Sequence, residues 1–293
     1  MTTPPALERL RGTTGLWTMT LDGLDPRGLR EVLEIVEATS ASALWIPEAW
    51  GREALTHAAT LLAASSRITI ATGIASIWAR DAVATMNGAR TLGATSGERF
   101  VLGLGVSHRP LVERLRGHHY DRPVEAMRAY LEAMDAAPMH AAEAAQPVAR
   151  VLAALGPRML RLAAERADGA HTYLVGVEHT AEARATLGDS FLAVEQAVVL
   201  GGSRDDFYER AHRHLEFYTG LENYRASWAR QGFTEDDWVR GGSTRLCDAM
   251  VVHGLDAIRE RVAAHRAAGA DHVCLQVLGP DGAPPLADWA ALG

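Results

Sequence analysis

The side chains able to move a proton, hold an anion or wall in a ring sit mostly at the ends of short apolar runs. His108 stands beside Ser107 after Gly103-Leu104-Gly105-Val106. An imidazole there could give or take a proton near neutral pH, or simply bond to loop backbone. Leu155-Gly156-Pro157-Arg158-Met159 passes straight from an apolar run into a helix start. Free N–H groups and the helix dipole suit an anion there, and Arg158 could add charge. Gly202-Ser203-Arg204-Asp205-Asp206 and Gly241-Gly242-Ser243-Thr244-Arg245 are rival anion seats, although Ser203 also reads as an N-cap. Trp17, Trp50 and Trp78 lie near the ends of three further runs, where they could line a pocket or pack a core. The sequence has twelve histidines but neither His-Glu-x-x-His nor Cys-x-x-Cys, so no metal site is expected. No Gly-x-Ser-x-Gly elbow is present. The glycine run before Ser107 lacks the third glycine of a dinucleotide fingerprint.

These positions imply a regular set of supporting elements. Apolar runs suited to strands fall at Gly15–Thr20, Ala43–Pro47, Ile68–Ile74, Phe100–Val106, Val148–Leu155, Ala170–Val175, Phe191–Leu200 and His272–Leu278. Helical periodicity lies between them, as in Leu29, Val32, Leu33 and Val36 after Asp25-Pro26. A long helical stretch from Asp205 to about Ala263 is interrupted by glycines. Near-continuous apolar strands alternating with helices predict an α/β protein with a parallel sheet covered on both faces. A single (β/α)8 TIM barrel over residues 1–293 is the preferred reading, with an open doubly wound sheet as its rival. In such a barrel, chemistry gathers where the strands end, which adds Glu48-Ala49-Trp50 and Gly73–Asp81 to the search.

Composition narrows the classes. The 293 residues are 48% apolar and 22% charged, as expected for a globular chain. All 29 basic residues are arginine, against 36 acidic ones, for a net charge of -7. This excludes lysine Schiff-base and P-loop chemistry and argues against nucleic acid as a partner. Two cysteines cannot build a disulfide framework. Neither a signal peptide nor an apolar run of membrane-spanning length is seen, so a cytoplasmic protein with no membrane partner is expected.

Several segments, in order, resemble the bacterial luciferase-like oxidoreductases. They are Ala71-Thr72-Gly73-Ile74-Ala75-Ser76-Ile77-Trp78-Ala79-Arg80-Asp81, Glu98–His108, Leu155–Met159 with Ala164–Gly169, and Gly269–Val273. The chain is most similar to the branch identified as coenzyme F420-dependent oxidoreductases. The resemblance implies a luciferase-like barrel, a small-molecule substrate, a homodimer, and a deazaflavin (coenzyme F420) that exchanges hydride at C5. FMN with O2 is the alternative, and a ligand-binding barrel without turnover is another. It implies a peptide, often cis, at Gly73–Ile74 supporting the ring. It also places the cofactor phosphate near Gly105, Val106 and Ser107 and on Gly156, Pro157, Arg158 and Met159. Trp17, Trp50 and Trp78 are then expected around the substrate. The sequence departs from the family pattern at Ala49, where a histidine commonly follows the acidic residue, and at His108, where an acid is common. His108 and Glu48 are therefore the expected proton-handling residues.

Overall fold

The computed structural model describes residues 3–142 and 145–292. Among the described residues ten strands form: β1 (Thr13–Trp17), β2 (Ala43–Ile46), β3 (Thr69–Thr72), β4 (Ala75–Ser76), β5 (Phe100–Gly105), β6 (Ala149–Ala153), β7 (Gly169–Thr172), β8 (Phe191–Val199), β9 (Val251–His253) and β10 (His272–Val277). All pairings are parallel, in the order β10-β1-β2-β3-β5-β6-β7-β8, and β10 pairs with β8 to close an eight-stranded barrel. The expected (β/α)8 architecture is therefore present. Closure leaves the ring without a free edge.

Local chemistry explains the element starts. Asp25 caps helix Pro26–Ala38 by accepting the Gly28 N–H at 2.7 Å, with proline at the first helical position. Leu29, Val32, Leu33 and Val36 bury one face of that helix, as their spacing predicts. Strand β1 begins and ends earlier than expected, because Thr18 accepts the Thr20 N–H and turns the chain away. The expected third strand breaks at Gly73-Ile74 and resumes as β4 beside β5.

Alternate strand residues fill the barrel interior, among them Trp17, Trp45, Val101, Val151, Phe191 and Cys274. Trp45 stacks on His171 with ring centroids 4.6 Å apart, and its Nε1 meets His272 Nε2 at 3.2 Å. Between β8 and β10 the stretch expected to be helical divides into Arg204–Thr219, Glu222–Arg230, Thr244–Met250 and Leu255–Ala267, with β9 between the last two. Much of this excursion has its own apolar cluster, in which Phe207, Leu215, Trp228, Leu246 and Met250 are buried. Strand β9 pins it by pairing with the end of β8. Among the described residues, no helix is long and apolar enough to cross a membrane.

Candidate active site

A cavity of about 400 Å³ opens where the barrel strands end. It is lined by Trp17, Glu48, Trp50, Gly73, Ile74, Gly105, Val106, Ser107, His108 and residues 156–159, which the sequence had singled out separately. Trp78 is the correction. Its indole Nε1 donates to the Val106 carbonyl at 3.0 Å and its ring packs toward His118 and Tyr120, so it supports the wall from behind.

The Gly73–Ile74 peptide is cis. Its surroundings fix it on every side. Gly73 N–H donates to the Ile46 carbonyl at 2.7 Å, and Trp17 Nε1 donates to the Gly73 carbonyl at 3.1 Å. The Ile74 carbonyl accepts Glu48 N–H at 3.0 Å, and Ile77 N–H reaches the Gly105 carbonyl at 3.1 Å. Two glycines make room for this shelf. A Cβ on Gly73 would lie 2.6 Å from Trp17 Nε1, and one on Gly105 would lie 2.5 Å from the Ile74 side chain.

Glu48 is buried, and both of its carboxylate oxygens are engaged. Oε2 accepts Ser76 N–H at 2.8 Å; Oε1 faces Ala54 N–H at 3.4 Å and pairs with Arg80, which also bridges to Glu53 at 2.5 Å. This arrangement clamps the segment after Gly73. It leaves the carboxylate poorly placed to exchange a proton with a ligand.

His108 lies between Phe217 and Tyr224, with ring centroids 5.8 and 5.7 Å away. Burial holds it down at about 4, against a hydrogen bond with Asn223 that works to raise it. The expectation of a group titrating near neutral pH is therefore corrected: the imidazole is neutral there. Its buried Nδ1 has no partner. Ser107 turns through the left-handed region at φ 55°.

The three candidate anion seats separate cleanly. Ser203 and Asp206 exchange hydrogen bonds in a capping box, and Ser243 caps its helix through Leu246 N–H while donating to Asp237. Helix Pro157–Arg166 starts on Gly156 with no side-chain cap, and it borders the cavity. A Cβ on Gly156 would meet only Arg230, at 3.9 Å. Arg158 leans outward to pair with Glu125 at 2.6 Å.

Tyr173 and Gln276 stand at strand ends, but sequence reasoning missed the far wall of Phe217, Tyr218 and Tyr224. Tyr173 donates to Gln276 Oε1 at 2.6 Å and lies 2.9 Å from the Tyr218 hydroxyl, so Tyr218 is the donor to Tyr173. Burial drives all three phenols, Tyr173, Tyr218 and Tyr224, above their ordinary value. Behind them Glu195 is fully buried, accepts Leu174 N–H at 3.0 Å and is pushed up to about 8 by burial.

Comparison with known proteins bears on the fold and the family. A Mycobacterium tuberculosis protein named "Putative coenzyme F420-dependent oxidoreductase Rv3520c" is 31% identical over 107 residues. That match spans 36% of this chain and 31% of the relative's length. The coenzyme F420-dependent tetrahydromethanopterin reductase of Methanopyrus kandleri superimposes with a TM-score of 0.70 at 15% identity, covering 96% of each chain. The FMN-bound oxygenating component of 3,6-diketocamphane monooxygenase from Pseudomonas putida gives 0.64 at 16% identity, covering 95% of this chain and 94% of that one. Residues 11–272 match the model of the luciferase-like monooxygenase family, and the chain belongs to that family of enzymes.

Proposed function

We propose that the protein is a single-domain oxidoreductase that transfers hydride between a deazaflavin, coenzyme F420, and a small organic substrate in this cavity. One observation carries the reading. On neighbouring strands, the cavity joins a backbone shelf at Gly73-Ile74, a glycine exit at Gly105–Ser107 and an uncapped helix start at Gly156. A planar ring with a phosphorylated tail requires these three features: a flat support, close backbone approach and free N–H groups. The name of the mycobacterial relative favours the deazaflavin over FMN.

When bound, the cofactor supplies hydride at C5; orientation and the handling of protons fall to the protein. Ile74 would support the ring, backbone N–H groups of 156–159 would hold the phosphate, and Val106 and Ser107 would border the tail. Glu48 acts as a positioning residue through the segment it clamps. His108, neutral and with an unfilled nitrogen beside the cavity, is the group best placed to hydrogen-bond to a substrate atom. Fluorescence titration with oxidised F420, repeated with FMN, tests the reading. Micromolar or tighter binding of F420 is expected. Preference for FMN would move the protein to O2-dependent monooxygenation, and binding of neither would overturn the cofactor assignment. The reading carries with it a cytoplasmic homodimer, which sedimentation of the purified protein and cell fractionation would check.

A further inference from the structure

The mouth of the barrel has two arcs of different chemistry. Strands β3, β5 and β6 are neighbours, and their ends present the shelf, the glycine exit and the uncapped helix start. The remaining arc runs over β7, β8, β10, β1 and β2. It presents Met19, Trp50 and Tyr173, together with Phe217, Tyr218 and Tyr224 from the two helices that follow β8. The first arc offers backbone with the rings of His108 and Tyr120 at its edge, and the second offers most of the rings.

We propose that the aromatic arc receives an uncharged, apolar substrate built around a ring, with Trp50 and Phe217 as its outer wall. The inference rests on the cofactor occupying the first arc. Trp50 follows β2 and Phe217 follows β8, and the two rings meet edge to face at 6.2 Å. They are 64% and 37% exposed, two of the few large apolar side chains left open to solvent, and both border the cavity. Covering them with another ring removes apolar surface from water and adds a favourable aromatic contact. A charged substrate lacks a counterpart. Among the described lining residues, Glu48 and Arg158 carry formal charge, and each is already paired within the protein. His108 and His171 are kept neutral at physiological pH by burial. An ion entering this arc would lose hydration without gaining a partner.

The test is calorimetric binding of two probes of similar shape, neutral acetophenone and anionic benzoate, to the protein with and without saturating F420. F420 affinity is measured separately, so failure of the cofactor reading shows in that titration alone. Acetophenone should bind at least about tenfold more tightly than benzoate, a difference of about 1.4 kcal/mol. Trp50→Ala and Phe217→Ala should each weaken acetophenone by about fivefold, the scale of one aromatic contact. F420 affinity and the thermal midpoint should stay near wild type in both. Phe217→Leu keeps the apolar volume and guards against misfolding; it should lose less than Phe217→Ala. Equal or tighter binding of benzoate, no binding of acetophenone at millimolar concentration, or variants that leave acetophenone affinity unchanged would each overturn the proposal.

Discussion

Glu195→Gln should remove a loss of stability that the wild type suffers as pH rises to 8. The carboxyl is fully buried inside the barrel, Oε2 accepts the Leu174 N–H at 3.0 Å, and Oε1 has no partner. Burial raises it from 4.5 to about 8 in the folded state. The folded protein therefore keeps a proton that the unfolded chain has released. That contribution is complete below about pH 4.5 and is lost as pH rises through about 8. One pH unit is worth about 1.4 kcal/mol per proton, so the loss between pH 6.5 and 8 is about 2 kcal/mol. Buried histidines act in the opposite sense. His57, His108, His171, His214 and His265 are lowered to about 4 and His272 to about 3, all chiefly by burial. Their stabilisation is lost on acidification. Unfolded histidines are still half protonated at pH 6.5, so this stabilisation keeps growing towards pH 8, but it is common to both proteins and cancels in the difference between wild type and Glu195→Gln. Glutamine preserves an acceptor for Leu174 and carries no charge. Urea unfolding at half-unit steps from pH 6.5 to 8 should show the wild type losing about 2 kcal/mol relative to the variant, at equal m-values. Parallel curves for the two proteins would refute a protonated Glu195.

Four further outcomes follow from the site. His108→Ala should lower kcat at least about tenfold while changing F420 affinity little, because it removes a contact to substrate and not to cofactor; unchanged kcat would exclude His108 from the reaction. In the wild type, kcat should show no His108 ionisation between pH 6 and 8, and an inflection near 6.5 that disappears in His108→Ala would contradict its burial. Gly105→Ala drives a Cβ into Ile74 and should weaken F420 binding by about tenfold or more. Arg80→Ala leaves the Glu48 carboxylate buried without its cation and should cost about 3–5 kcal/mol in urea unfolding; a loss below 1 kcal/mol would remove the clamp from the account.

The strands were legible because they are covered on both faces. Val101, Leu102 and Leu104 in β5, and the unbroken burial of β8, leave no polar alternation to confuse with a surface strand. The site residues on strand ends were legible for a related reason: closure of the barrel brings those ends together whatever their separation in sequence. Trp78 misled because strand β4 ends two residues before it, and the indole is then drawn back to the Val106 carbonyl. Phe217, Tyr218 and Tyr224 carried no signal, since aromatic residues on amphipathic helices ordinarily pack a core. Only the return of the excursion across the mouth turns them toward the cavity. Strand β9 is three residues long and directly follows a helix, too short for a period to register. Glu195 lay in an apolar run whose inward face could be assigned only once the ring had closed.

The separate apolar cluster of the excursion after β8 has an evolutionary consequence. A loop supported only by the barrel would be constrained by the barrel's own packing, so each change of sequence would put the whole fold at risk. Here Phe207, Leu215, Trp228, Leu246 and Met250 hold the excursion together, and β9 moors it to the last turn of β8. Its inner face can therefore be exchanged almost as a cassette. Substitutions at Phe217 and Asn223, which lie outside that cluster, can diversify what the mouth admits, while the shelf at Gly73-Ile74 and the helix start at Gly156 stay as they are.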